Sequence, residues 1–178
     1  MSGPLPPRQR TERLLLRKPR QTDLDFLADL FSRPELVAHR PDPTPDSPQQ
    51  SAARLSRDID HWDGHGFGRW AVEADGGLIG FGGVTVSNDF QGLNLSYHLH
   101  PNSWGRGYAT ELVMEALRAA FVTLETKRVI ALARPANPAS RRVLEKCGFT
   151  FESDVVLHGA PTALFVVTAA SYPGRQQA

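Results

Sequence analysis

Trp104-Gly105-Arg106-Gly107-Tyr108-Ala109-Thr110 lies between an alternating strand pattern and a long amphipathic helix pattern, and it decides the fold. Two glycines one residue apart let the backbone turn sharply and bring its N–H groups close to a ligand. A helix starting near Tyr108 leaves its first N–H groups without partners and adds the positive end of its dipole. Together these make an anion site suited to a pyrophosphate. The same glycines would also serve a turn that merely joins strand to helix. Rival phosphate motifs fail. No Gly-Lys-Ser/Thr of a Walker loop occurs, and a dinucleotide fingerprint would need a third glycine where Thr110 stands. Gly80-Phe81-Gly82-Gly83 runs on into Val84-Thr85-Val86, so it reads as a flexible or closely approached strand.

Working outward, Leu93, Leu95, Tyr97 and Leu99 alternate with Asn94, Ser96, His98 and His100, the pattern of a strand with one apolar face. On the other side, Ala109, Leu112, Val113, Ala116, Leu117, Ala120, Phe121 and Leu124 form a helical stripe. Residues 129–133 read as a buried strand, and Asn137-Pro138 caps a short helix that Gly148 ends. Strands follow over 151–157 and 163–169. Toward the N-terminus, residues 13–17 predict a first strand. Thr22 and Asp25 come close to a capping box, opening a helix with Leu24, Leu27, Leu30 and Phe31 inward. Ser47-Pro48 starts a second helix through Leu55 and Ile59 to Trp62. Strands over 69–74 and 78–86 flank the tight turn Asp75-Gly76-Gly77. Hairpins and strand–helix–strand units both occur, so the class is α/β (α+β) with a mixed central sheet.

The bulk properties narrow the function. At 178 residues one domain is expected, at 11–170, between flexible termini at 1–10 and 171–178. Lys and Arg total 20 against 19 acidic residues, a net charge of +1 that makes no bulk-charge case for a nucleic acid or membrane partner. No apolar run reaches the roughly 18 residues of a membrane span, and Met1-Ser2-Gly3-Pro4 begins no signal peptide, so a cytoplasmic location is expected. Cys147 is the one cysteine; it excludes an intrachain disulfide and reads as a buried filler. His61 and His65 would share a helix face, but Asp63-Gly64 reads as a helix end and no third ligand follows, so no metal is expected.

With its neighbours, the glycine stretch resembles a known family. Residues 104–111 resemble the acyl-CoA-binding motif of the GNAT N-acetyltransferases, Gln/Arg-x-x-Gly-x-Gly/Ala, in Gly107-Tyr108-Ala109, with Trp104 in the Gln/Arg position. They look most like the branch containing the ribosomal-protein N-terminal acetyltransferases. Asn137-Pro138-Ala139-Ser140 with Glu145-Lys146-Cys147-Gly148-Phe149 resembles that branch's Asn-x-x-Ser and Glu-Lys-x-Gly-Phe. Residues 13–17 and 66–72 resemble its early strands. The resemblance implies a sheet of six to seven strands, splayed at its middle and flanked by about four helices. Acetyl-CoA, the co-substrate, would wedge between the strands ending at His100 and Ala133. The implied cofactor contacts are Leu99, His100, Gly105, Arg106, Gly107, Tyr108, Ala109, Thr110, Asn137 and Ser140. The Leu99 N–H would polarise the thioester carbonyl.

Transfer to an amine also needs a base for the ammonium and an acid for the leaving thiolate. Many family members place a Glu base where Asn94 stands here, and a Tyr acid where Leu144 stands. His98, on the polar strand face, becomes the candidate base, with a wet strand face as its plainer reading. Ser140 inherits the acid role from the resembled branch, with Tyr108 in reserve; its plainer reading is a first-turn helix residue. Arg141 and Arg142 are placed to reach CoA phosphates or to solvate a face. Trp62, Phe67 and Trp70 would line an acceptor pocket or pack the core. The expected function is therefore an acetyl-CoA-dependent N-acetyltransferase acting by direct attack on a primary amine, of a small molecule or a peptide N-terminus. The acceptor groove would lie between the first two helices, the loop 41–48, and the strands near Trp70 and His98. The rival is a non-catalytic acyl-CoA-binding sensor or interaction module. A monomer or homodimer fits either.

Overall fold

The computed structural model describes residues 3–174. Eight strands form one sheet: Arg8–Arg10 (β1), Leu15–Arg17 (β2), Arg69–Ala74 (β3), Gly77–Val86 (β4), Leu93–Leu99 (β5), Arg128–Ala133 (β6), Thr150–Leu157 (β7) and Ala160–Thr168 (β8). Their order is β1-β2-β3-β4-β5-β6-β8-β7. The α-helices are Leu24–Ser32 (α1), Pro34–Val37 (α2), Pro48–His65 (α3), Tyr108–Arg118 (α4) and Pro138–Lys146 (α5). The mixed class holds, with one strand more than the upper expected number. The addition is β1, in a segment expected to be loose. Its polar Arg-Gln-Arg alternation carries no strand signal, yet Gln9 pairs with Leu16 and Leu5 is buried beneath. Residues 1–2 and 175–178 of the expected flexible termini lie outside the described residues.

Local chemistry explains most boundaries. Ser47 and Gln50 form a reciprocal capping box, so α3 begins where Ser47-Pro48 predicts. It then runs through Asp63-Gly64 to His65 and stops only at Gly66, whose φ of 72° suits glycine. The expected Thr22–Asp25 box does not form; Asp23 instead accepts from the Arg20 N–H ahead of α1. Helix α2, opened by Pro34, is too short to show a period and went unpredicted. Asp75 and Gly76, with φ of 52° and 82°, make the tight β3–β4 turn. Helix α4 gives way to a π-helical turn, Ala119–Thr123, before the apolar stripe ends.

Each face of the sheet has its own packing. Leu112, Val113, Ala116 and Leu117 of α4 bury against Leu95, Leu99 and Val84. Leu27, Leu30 and Phe31 of α1 and Leu55 of α3 bury against Ala71 and Phe81. Gly82 lets α4 sit close, since a Cβ there would lie 2.7 Å from Leu112. That close approach is what the glycine-rich strand accommodates.

Every neighbouring pair is antiparallel except β5 and β6 at the centre. Their parallel register covers only Leu93 to Leu95 against Val129 to Ala131, while both strands continue beyond it. The sheet therefore opens at its middle.

Candidate active site

The opening follows from backbone alternation. The His100 N–H donates to Ile79 O at 2.7 Å, so even-numbered residues of β5 turn their peptide groups toward β4. Those of Tyr97 and Leu99 then face the side from which β6 has diverged. A cleft of about 760 Å³ fills the splay. Leu99 lines it, as do Gly105, Gly107, Tyr108, Ala109 and Thr110 at the start of α4, and Asn137 and Ser140 at the start of α5. Two residues expected to contact the cofactor, His100 and Arg106, do not line the cleft. His100 has its N–H on Ile79, and its ring sits beside Phe26 and 3.6 Å from Asp29. Arg106 turns its guanidinium to Asp75 and over the Tyr108 ring.

The turn before α4 has the backbone geometry that the two glycines predict. Gly107 holds φ 80° as the N-cap of α4, and its carbonyl accepts the first helical bond, from the Glu111 N–H. The N–H groups of Tyr108, Ala109 and Thr110 precede that bond and point out of the helix end. Arg142 and Lys146 add positive charge on the cleft wall. The turn is braced from behind. Glu111 accepts from Thr11 Oγ1, from the Arg13 N–H and from Arg13 Nε, at 2.5 to 2.7 Å. Burial pushes the Glu111 carboxyl up, but these donors outweigh it and hold it below the usual carboxylate range. Trp104 Nε1 ties the turn to β5 through Leu99 O.

A hydroxyl pair faces the splay. Tyr97 Oη and Ser140 Oγ lie 3.3 Å apart, while the Ser140 N–H donates to the capping Asn137 Oδ1. Burial pushes the Tyr97 phenol above its usual value. Tyr97 was missed as a site residue. Strand alternation puts it correctly with Leu95 and Leu99, but the period says nothing of its hydroxyl. Tyr108, the reserve acid, is committed elsewhere, donating to Asp75 Oδ2.

His98 lines the cleft from the other face of β5, where it packs edge-on against Phe31, and Arg69 Nη2 donates to its Nδ1 at 3.0 Å. A guanidinium has no lone pair, so the neutral ring carries its proton on Nε2. Burial, then Arg69, Arg54, Arg40 and His39, hold its pKa well below the usual imidazole value. The expected base role does not fit, because its basic nitrogen is occupied and a second proton would face three arginines. Asn94 also lines the cleft, with its buried Oδ1 lacking a hydrogen-bond partner. Glu35 and Leu36 of α2 also line the cleft, as do Ala38 and His39 just after that helix. Burial, then Arg40 and Arg134, hold His39 below its usual pKa, so it is neutral at neutral pH. Without α2 in the sequence reading, His39 gave no signal.

Other candidates resolve to structure. Trp62 and Trp70 are buried in the core, with Phe67 packed against it, and Trp62 Nε1 donates to Arg69 O. His61 engages both ring nitrogens, with Phe67 O and the Val86 N–H. Cys147 is fully buried, and burial pushes its thiol up to about 11, unsuited to a nucleophile.

Comparison with known proteins agrees with this geometry. The family model described as an acetyltransferase (GNAT) domain matches residues 13–150. An uncharacterised N-acetyltransferase of Bacillus licheniformis, p20, is 30% identical over 147 residues, spanning 80% of this chain and 82% of its own. An acetyltransferase structure from Agrobacterium tumefaciens superposes with a TM-score of 0.80 at 25% identity, over 92% of this chain and 95% of that one. RimJ of Mycobacterium smegmatis, solved with CoA-disulfide, shares the fold at a TM-score of 0.75 and 22% identity, over 90% of this chain and 84% of its own. With a family match across most of its length and a sheet splayed at its middle, the chain belongs to the GNAT family of acetyl-CoA-dependent acetyltransferases.

Proposed function

We propose that the chain transfers acetyl to a primary amine, of a small molecule or a peptide N-terminus, by direct attack within the splay. The observation that carries this is the convergence of three features on one cleft: the outward N–H of Leu99, the Tyr97–Ser140 hydroxyl pair, and the open N-terminus of α4. Acetyl-CoA, when bound, supplies the activated acetyl group. The N–H groups of Tyr108, Ala109 and Thr110 hold its pyrophosphate, and the Leu99 N–H is the donor for the carbonyl oxygen on which charge develops. The amine nitrogen bonds to the acetyl carbon as the carbon–sulfur bond breaks. Ser140 gives its proton to the sulfur and is reprotonated, through Tyr97, by the second proton that the amine nitrogen loses as the amide forms. His39, neutral and on the cleft wall, accepts the proton that the ammonium sheds.

The test is CoA release with an amine panel. Ser140→Ala should lower kcat about 100-fold, the scale of one positioned proton donor, with acetyl-CoA affinity little changed. Wild-type turnover that survives Ser140→Ala would remove the hydroxyl pair from the mechanism. Acetyl-CoA binding with no acetylated product from any amine would favour the sensor reading.

His39 makes a separate prediction in pH. The base works deprotonated, so kcat/KM should climb as pH rises through its lowered pKa and be limited by His39 only below the usual imidazole range. In His39→Gln that acid limb should vanish. A limb unchanged in the variant assigns it to another group.

A further inference from the structure

A segment outside the cleft reaches the donors at the start of α4. The β1–β2 hairpin is tied to α4 at two places, where Gln9 Nε2 donates to Glu115 and Thr11 Oγ1 to Glu111. The hairpin loop is itself fixed, since the Thr11 N–H donates to Leu14 O and the Leu14 N–H to Thr11 Oγ1. Arg13, in that loop, does not line the cleft, yet its guanidinium extends to the glycine turn. Nε donates to Glu111 Oε2 at 2.7 Å, and Nη1 donates to Arg106 O at 2.8 Å. Cζ stands 4.8 Å from the centre of the Tyr108 ring. Nη2 is the atom that a Cβ on Gly107 would meet, at 3.3 Å.

These contacts bear directly on where the N–H groups point. The Arg106–Gly107 peptide is trans, and a trans peptide directs its C=O and its N–H to opposite sides. With Arg106 O held by Arg13, the Gly107 N–H is turned away from Arg13, in a residue that does line the cleft. A glycine at φ 80° has no side chain of its own to fix the peptide planes on either side of it, so an outside bond decides their orientation. The next donor, the Tyr108 N–H, belongs to a residue whose ring lies against the Arg13 guanidinium and whose hydroxyl is on Asp75. A guanidinium suits this task because its planar fork makes two bonds at once in fixed directions, here to Glu111 and to Arg106 O.

Resting on the reading that the start of α4 holds the CoA pyrophosphate, we propose that Arg13 is a positioning residue for the cofactor. From the β1–β2 loop it fixes the Arg106–Gly107 peptide and the Tyr108 ring, and so aims the N–H groups that the pyrophosphate meets. Its effect is confined to ligands that carry phosphate, because the pantetheine arm lies in the splay, away from the hairpin.

The experiment titrates CoA and pantetheine, which lacks the pyrophosphate and the nucleotide, into the wild type, Arg13→Ala and Arg13→Lys, followed by the backbone amide resonances in NMR. In the wild type, CoA should bind the more tightly and move the Gly107 amide proton downfield. Arg13→Ala should weaken CoA about tenfold, the scale of one hydrogen bond to a charged group, and leave pantetheine unchanged. The downfield shift at Gly107 should shrink with it. Arg13→Lys keeps the charge but has one nitrogen, so it too should lose affinity for CoA; should Arg13→Ala not fold, this variant carries the comparison. A lysine variant that binds CoA as the wild type does would overturn the positioning role, since charge alone would then suffice. Equal losses for CoA and pantetheine would overturn it as well, by showing a general loosening of the fold. A wild type that binds both ligands equally would overturn the pyrophosphate reading itself, whereas a wild-type preference for CoA that survives in both variants would overturn the role of Arg13 alone.

Discussion

A Gly107→Glu variant is expected to bind acetyl-CoA about 100-fold more weakly than the wild type while still folding. Gly107 sits at φ 80° beside the outward N–H groups of α4, a conformation glycine adopts without penalty. A Glu there accepts roughly 1–2 kcal/mol of left-handed strain, tolerable on an exposed turn. Its carboxylate then stands within one turn of the donors that the pyrophosphate needs. At about 5 Å and an effective dielectric of about 20, two like charges repel by about 3 kcal/mol, or about two decades in affinity. A Cβ at this position would lie 3.3 Å from Arg13 Nη2, so some of the new charge will be drawn to that guanidinium. Calorimetric titration decides the matter. Wild-type affinity retained in a folded variant would show that the α4 terminus holds no phosphate.

The second large effect is on stability. Asp23→Ala should destabilise the protein by about 3 kcal/mol, lowering Tm by about 10 °C for a chain of this size. Asp23 is buried before α1 and takes two bonds from Arg17, at 2.8 and 2.9 Å, plus one from the Arg20 N–H. Removing it leaves a guanidinium only 10% exposed with Glu73 as its remaining carboxylate partner. Burial pushes the Asp23 carboxyl up, but Arg17 and the Arg20 N–H outweigh it and hold it below the usual range. Its stabilising contribution is thus complete above the usual carboxylate pKa and is lost as pH falls through the lowered one. Denaturant titrations of both proteins should therefore converge on acidification. A gap that persists at low pH would mean that the loss comes from packing and not from the charged pair.

The parts of this molecule written in short-range code were readable. Ser47, Asn137, Gly148 and the Asp75-Gly76-Gly77 turn fix local backbone geometry through their own side chains or lack of them, so helix and hairpin limits followed from neighbours in sequence. The glycine turn before α4 belongs to the same class. What escaped depends on distant partners. Strand β1 exists because Leu5 finds a buried place and Gln9 reaches Glu115, more than a hundred residues away. His98 is a plausible base until Arg69 is found against its Nδ1, and Tyr108 a plausible acid until Asp75 is found beyond its hydroxyl. Alternation says which face a side chain takes, as it did for Tyr97, and is silent about the atom that it meets there.

The brevity of the β5–β6 junction has a consequence for how the chain acquires its structure. On one side of it lies a meander of local hairpins from β3 to β5, and on the other the β7–β8 hairpin with β6. Hairpins close short loops and form early, whereas joining Leu95 to Ala131 must first close the long excursion through α4. With only three register positions in the strand pairing itself, the junction is expected to form after the hairpins, together with the core that α4 completes. On that order the cleft takes shape only when the two sides of the sheet meet.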